Sequence, residues 1–359
     1  LRLVGSEMCI RDRPSIGLHS KDNKRLIKIL KSLRDVGNTV IIVEHDEEIM
    51  NAADKIIDMG PEAGTSGGEV VAEGKFSDII KCNTLTAKYL SGINKIEVPK
   101  ERRVSNKWIK IKGARENNLK NIDADFLING LTVVTGVSGS GKSTLVKNIL
   151  FPSILKYFNV YTHKTGDFSK LEGDLNSIQN VEFVNQNPIG RSSRSNPVTY
   201  LKAYDDIRTI FSRQSLAKNR GYKPKHFSFN VDGGRCDTCK GEGQVTIEMQ
   251  FMADVILECE ACNGKRFKEE IREIKYNGYS IDQILSLTID DALKLFENNN
   301  ESRLASKLKP LNQVGLGYVR LGQSSNTLSG GEAQRIKLAS FISKGSSTVS
   351  YTHLRAHET

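Results

Sequence analysis

Residues 136–144 read GVSGSGKST, which fits the G-x-x-x-x-G-K-[ST] phosphate-loop pattern. Gly136, Gly139 and Gly141 free the backbone, so that the N–H groups of Val137, Ser138 and Ser140 turn inward around phosphate oxygens. Lys142 would reach the β- and γ-phosphates and Ser143 would offer its hydroxyl to Mg2+, while Thr144 leads into a helix whose N-terminus adds positive potential. The bland reading is a glycine-rich turn that binds nothing. A second anion site of the same physics is expected at residues 328–332, where Leu328, Ser329, Gly330, Gly331 and Glu332 spell LSGGE at a helix start. Taken alone, that segment is equally an ordinary helix cap. Between these two segments lie Cys236-x2-Cys239 and Cys259-x2-Cys262, separated by nineteen residues. Two Cys-x-x-Cys pairs at this spacing predict a closed tetrahedral Zn2+ site, structural because no ligand position remains for water. Reduced structural thiols or a redox pair are the alternatives.

The elements that must position these groups are legible as periodicity. Residues 21–35 carry Leu26, Ile29, Leu30 and Leu33 at helical spacing and end at Gly37. Residues 39–43 (TVIIV) predict a strand buried on both faces, running straight into Glu44, His45 and Asp46. Helices are expected over about 76–92. Residues 131–135 (LTVVT) predict the buried strand before the phosphate loop, with a helix over about 142–153 after it. Residues 181–184 predict another strand, ending beside Gln186. Thr288 and Asp291 are placed as the capping box of a helix over 288–297.

Composition sets the class. The chain has 359 residues, 38% apolar and 26% charged, and a net charge of +10. It has no apolar run of the length a membrane span needs and no apparent signal peptide, which predicts a cytoplasmic protein. Six cysteines are too few for a disulfide scaffold at this length and suit a reducing compartment. A basic balance favours polyanionic partners. Residues 190–226 hold nine Lys/Arg against two acids. Arg191, Arg194, Lys223 and Lys225 there, with Lys265 and Arg266 beside the second cysteine pair, are the candidates for phosphate contact with duplex DNA. A solvated basic face is the bland reading of the same residues.

LSGGEAQR together with a phosphate loop resembles the ABC-type ATPases, and the resemblance implies an α/β fold with a P-loop core. In that family Gln186 corresponds to the Q-loop glutamine that contacts metal and attacking water. Residues 14–19 (PSIGLH) look like the D-loop that follows a Walker B strand, and His45 looks like the switch histidine. These late motifs precede the phosphate loop here, so the chain reads as the end of one ABC half joined to the start of the next. The knuckles CDTCKGEG and CEACNGKR resemble the DnaJ-type zinc repeats, which leaves a zinc chaperone module, or an ABC ATPase of another kind, as the competing readings.

VTGVSGSGKSTL, NPIGRSSRSNPVTY, GYKPKHFSFNVDGGRC, CEACNGKRF and YVRLGQSSNTLSGGEAQR together resemble the UvrA family, the ABC-type ATPases of the bacterial excinuclease in nucleotide excision repair. The resemblance implies a damaged-duplex sensor with two ABC halves, ATP, Mg2+ and Zn2+ as cofactors, a homodimer in the intact parent, and UvrB as the partner it loads. It divides the chain into the C-terminal part of a first ABC half (14–94), a linker (95–107) and the P-loop and Q-loop part of a second half (108–187). A DNA-binding insertion with its zinc module at 236–262 follows (188–310), and then the signature helix region (311–348). Residues 1–13 and 349–359 break the surrounding pattern and read as non-native ends. The family's catalytic glutamate would follow Asp12, where this sequence has Arg13, a group that cannot act as a general base. No complete ATPase site is therefore expected, and no steady ATP turnover from this stretch alone.

Overall fold

The computed structural model describes residues 8–12, 14–15, 18–160, 164–185, 187–190, 192, 194–247, 249, 255–342 and 349–353. The chain divides into two compact units, Leu1–Phe183 with Ser347–Thr359, and Val184–Ser346. Mixed α/β content runs through both.

In the first unit, β1 (Met8–Asp12) lies parallel to β2 (Thr39–Val43), with Asp12 opposite Val43. Helix α1 (Ser20–Asp35) joins them. Ile41 and Val43 are about half exposed, so β2 is not buried on both faces among the described residues. A short helix α2 (Glu47–Ala52) starts on the Asp46 carboxylate, which accepts from the Ile49 N–H. Next come the antiparallel pair β3 (Ile56–Gly60) and β4 (Glu69–Gly74), then helices α3 (Phe76–Ile79) and α4 (Leu85–Leu90). These two short helices fall within the 76–92 stretch where helices were expected, with Asn83 and the capping Thr84 between them.

The phosphate-loop region is built on β5 (Trp108–Ala114), which pairs antiparallel with β6 (Ile122–Leu127) on one side and β7 (Lys170–Gly173) on the other. Residues 131–135 are not a hydrogen-bonded strand. Leu131 is 92% and Val133 74% exposed, while Val134 packs against the core. A parallel central strand needs a neighbour on each edge, and the described residues supply none here. The following helix is wound as a π-helix over Thr144–Leu150 and continues as α5 (Phe151–Tyr157), longer than expected. Pro152 explains the wide turn: it has no N–H for the Asn148 carbonyl, and its ring crowds that carbonyl. The Asn148 carbonyl accepts from the Gly166 N–H at 2.8 Å instead. Ile109, Ile111, Phe126, Ile149 and Ile154 form the core beneath the loop. Strand β8 (Asn180–Val184) closes the unit, paired with the terminal strand at Val349–His353.

The second unit is mostly helical. Helices α6 (Pro197–Tyr200), α7 (Tyr204–Ser212) and α8 (Ser215–Asn219) lead to a hairpin of β9 (Gln244–Ile247) and β10 (Val255–Glu258). Helices α9 (Glu269–Arg272), α10 (Ile281–Ser286), α11 (Ile289–Asn298), α12 (Ser302–Gln313) and α13 (Gly330–Ile342) follow. The Thr288 hydroxyl and Asp291 form the cap of α11. Phe211, Phe227, Phe229, Phe267 and Phe296 are all buried in one core. This aromatic wall is the floor on which the cysteine knuckles stand.

Candidate nucleotide and metal sites

The phosphate loop has the backbone its glycines permit. Gly136, Gly139 and Gly141 all adopt positive φ, at 147°, 75° and 96°. At Gly141 a Cβ would stand 2.7 Å from Leu119 Cδ2 and 3.0 Å from Asn118 Oδ1, so a side chain there would have to push Leu119 aside and would be strained by the φ of 96°. The Lys142 ammonium donates to the Gly136 and Val137 carbonyls, each at 2.8 Å, which lays it across the mouth of the loop. Asn118 Nδ2 donates to the Gly139 carbonyl at 2.8 Å, and Asn117 Nδ2 to Thr144 Oγ1 at 3.3 Å. A cleft of about 370 Å3 opens there, lined by these two asparagines and residues 139–144. Sequence reasoning missed Asn117 and Asn118. Their signal was a pair of adjacent asparagines, of which Asn117 takes a left-handed conformation (φ 54°).

Four cysteines meet in the second unit. Their Sγ atoms all lie within 4.8 Å of one another, with Cys236–Cys259 at 3.9 Å and Cys239–Cys262 at 3.7 Å. A tetrahedral Zn2+ with Zn–S near 2.3 Å requires S–S separations of about 3.8 Å, so the donor set fits that ion. All four side chains are buried. The Gly243 N–H donates to Cys239 Sγ at 3.3 Å, as a thiolate ligand needs. Burial pushes the Cys262 thiol up to about 12. At Cys236 burial also raises the thiol, but backbone N–H groups at Cys239 and Thr238 and the neighbouring thiols outweigh it and leave the group at about 7. Four close thiols cannot all ionise unaided, and a divalent cation reverses that penalty. The knuckles close through glycine: at Gly241 (φ 86°) a Cβ would fall 2.1 Å from the Phe229 carbonyl oxygen.

The LSGGE segment opens α13 through a reciprocal cap. The Ser329 N–H donates to Glu332 Oε2 at 2.8 Å, and the Glu332 N–H donates to Ser329 Oγ at 3.3 Å. Glu332 Oε1 accepts from the Tyr318 hydroxyl at 2.6 Å, and Arg335 donates to the Gly315 carbonyl at 3.1 Å. Burial first, and then the Glu332 carboxylate, raises the Tyr318 phenol. Gln186 lies outside the described residues. Its neighbours are placed: the Lys337 ammonium of α13 donates to the Asn185 carbonyl (3.2 Å), Asn185 Oδ1 (2.5 Å) and the Asn187 carbonyl (2.7 Å).

A protein from Clostridium perfringens described as UvrABC system protein A is 53% identical over 349 residues, covering 96% of this chain and 37% of the relative. One of the same description from Staphylococcus epidermidis is 50% identical over 347 residues, covering 96% and 36%. The crystal structure of UvrA2 from Deinococcus radiodurans superposes with a TM-score of 0.89 at 41% identity, covering 96% of this chain and 41% of that one. This chain belongs to the UvrA family. No family model matches it. The chain spans just over a third of the length of the curated relatives it matches, as a piece of a larger UvrA.

Measured against a UvrA-type role, the six basic candidates separate. Arg191 lies outside the described residues. Arg194 is not a free cation: its Nη2 is 3.1 Å from Glu242 Oε1, inside the first knuckle. Arg266 is half-buried, with its guanidinium 5.6 Å from the Phe229 ring centroid, and burial lowers its pKa. A run of basic residues read as sequence shows neither the knuckle carboxylate nor the ring beneath. Lys223, Lys225 and Lys265 stand exposed. Near the start of the chain, Glu44 ties Ser15 to His45. Its Oε1 accepts from the Ser15 N–H at 2.7 Å and its Oε2 from the His45 N–H at 3.1 Å. Burial would raise the Glu44 carboxyl, but these bonds prevail and hold it below its ordinary value. Asp46 holds the far side, accepting from Asn23 Nδ2 at 2.9 Å. His45 is exposed between two anchored acids. Among the described residues no helix is long and apolar enough to cross a membrane.

Proposed function

We propose that this chain contributes the nucleotide-binding and DNA-facing parts of a UvrA-type damage sensor, working in the cytoplasm. The observation that carries the reading is a cluster of four cysteines able to hold a metal ion, lying in sequence between a phosphate loop and an LSGGE helix in a single UvrA-family chain. Gly136 to Thr144 hold one ATP with its Mg2+. Ser329 to Gly331 close over another, held by the other ABC half, to which His45 and the 14–19 segment belong. Asp12, the last residue of β1, occupies the Walker B position, and the residue after it is Arg13. The stretch therefore binds nucleotide without turning it over. Zn2+ on Cys236, Cys239, Cys259 and Cys262 fixes two knuckles into one rigid body.

That body and the helices beside it present Lys223, Lys225 and Lys265 to duplex phosphates, contacts that fix register without reading sequence. In the intact parent, a homodimer loads UvrB at the lesion. The test is duplex binding across a salt series. The expected log K against log salt is steep, and each of Lys223→Ala, Lys225→Ala and Lys265→Ala lowers the slope by about one. Binding that ignores salt and all three substitutions would contradict the reading.

A further inference from the structure

We propose that Asn118 is a positioning residue for nucleotide: its side chain clips the phosphate loop into shape before any phosphate arrives. This rests on the nucleotide reading above and deepens it. The loop needs such a device because Gly136, Gly139 and Gly141 all sit at positive φ. Glycine gives up more backbone freedom on ordering than any other residue, and a ligand that must itself order the loop binds more weakly for it. Nothing lies within 4 Å of the place a Cβ would take at Gly139, so packing does not hold the loop on that side. Asn118 Nδ2 does, donating to the Gly139 carbonyl at 2.8 Å. Asn118 Oδ1 lies against Gly141, 3.0 Å from where a Cβ would stand. One amide thus reaches two of the three glycines.

The clip is mounted on the frame and not on the loop. The Leu119 N–H donates to the Glu116 carbonyl at 3.1 Å, closing a tight turn around Asn117 and Asn118. Asn117 takes a φ of 54° there, which asparagine tolerates better than most residues. Just before the turn, the Arg115 and Glu116 N–H groups both donate to the Asp167 carbonyl, at 2.8 and 3.2 Å. Glu116 Oε2 accepts from the Asp167 N–H at 2.8 Å, and Arg115 Nη1 donates to Ser169 Oγ at 3.1 Å. These anchors lie outside the loop and outside the helix that follows it, so a bound phosphate does not have to build them. Asn117 Nδ2 reaches Thr144 Oγ1 at 3.3 Å, so the turn holds the far end of the loop as well. The near end is held by Lys142, through the Gly136 and Val137 carbonyls. The cleft of about 370 Å3 that Asn117 and Asn118 line with residues 139–144 stays open between these fastenings.

The test compares wild type, Asn118→Ala and Asn118→Gln by amide hydrogen exchange without nucleotide, and by titration with Mg2+–ATP and Mg2+–ADP. In the free chain, Asn118→Ala should speed exchange at Ser140, whose N–H bonds the Val137 carbonyl inside the loop, by about twofold to tenfold, the range expected for one net hydrogen bond. Affinity for ATP and for ADP should fall by about the same factor, because both place phosphates in the loop. The melting temperature should stay within a few degrees, since Asn118 is exposed. Asn118→Gln keeps the amide donor on a longer arm and should exchange more slowly than Asn118→Ala; equal loss in the two would count against the donor. Exchange at Ser140 less than twofold faster in Asn118→Ala, or unchanged affinity for both nucleotides, would overturn the proposal. So would weakened ATP with unchanged ADP, which would put the side chain on the γ-phosphate instead. A wild type that binds neither nucleotide refutes the nucleotide reading, while exchange in the free chain still decides the clip. If Asn118→Ala does not fold, Asn118→Asp keeps the shape and turn preference but loses the donor. Faster exchange at Ser140 there supports the clip, and unchanged exchange refutes it.

Discussion

Gly241→Ala should break the cysteine cluster without touching a ligand. Gly241 sits two residues after Cys239 at φ 86°, and a Cβ there would stand 2.1 Å from the Phe229 carbonyl oxygen, a backbone atom in a fully buried core residue. Left-handed backbone costs an L-residue roughly 1–2 kcal/mol. Forcing the knuckle off Phe229 adds roughly 1–3 kcal/mol, the usual cost of overpacking. The sum, about 2–5 kcal/mol, is smaller than the roughly 10–16 kcal/mol of a structural zinc site, so metal should still bind. Affinity should fall by a factor of roughly 30 to 4,000, at about 1.4 kcal/mol per decade. The assay is competition for Zn2+ with a chromophoric chelator, together with thermal unfolding. Gly221→Ala is the control, because φ is 69° there but nothing lies within 4 Å of the added carbon. It should lower stability by about 1 kcal/mol and leave zinc affinity alone. Zinc affinity within threefold of wild type in Gly241→Ala would refute the packing argument, as would equal losses in both variants.

Three other outcomes follow from the same geometry. Lys142→Ala should weaken binding of a fluorescent Mg2+–ATP analogue by at least tenfold, measured by titration, while leaving the melting temperature within a few degrees. Glu44→Gln should lower thermal stability at neutral pH. Because the folded carboxyl titrates below its ordinary 4.5, its contribution is present above that value and lost as pH falls through the lower folded one, so the gap from wild type should close on acidification. Arg266→Ala should cost about 1 kcal/mol of stability through the lost contact with Phe229, with little change in the salt slope of DNA binding.

Local chemistry was legible in the sequence and long-range pairing was not. The cysteine spacing pointed to the cluster because a metal knuckle is local, closed by turns within a few residues of each ligand. The α11 cap was readable for the same reason, since Thr288 and Asp291 are three residues apart. The strand at 131–135 was not, because an apolar run becomes a strand only beside a partner, and its own residues cannot supply one. Arg194 and Arg266 read as free cations because Glu242 lies forty-eight residues from the first and Phe229 far from the second. Lys337 and Glu44 carried no distinctive signal, and Asn118 only that of standing next to Asn117. A lysine on a helix and an asparagine before a loop are common, and only the fold brings them to the segments they hold.

The central proposal is that this UvrA-family chain carries both a nucleotide site and a zinc-braced surface that faces DNA. Equilibrium binding of this chain to matched damaged and intact duplexes, with and without Mg2+–ATP, tests that claim most directly, with Lys142→Ala measured in parallel. The predicted result is a preference for the damaged duplex whose size changes with nucleotide in wild type and stays constant in Lys142→Ala. Equal affinity for both duplexes, indifferent to nucleotide and unchanged by chelating the zinc, would contradict it.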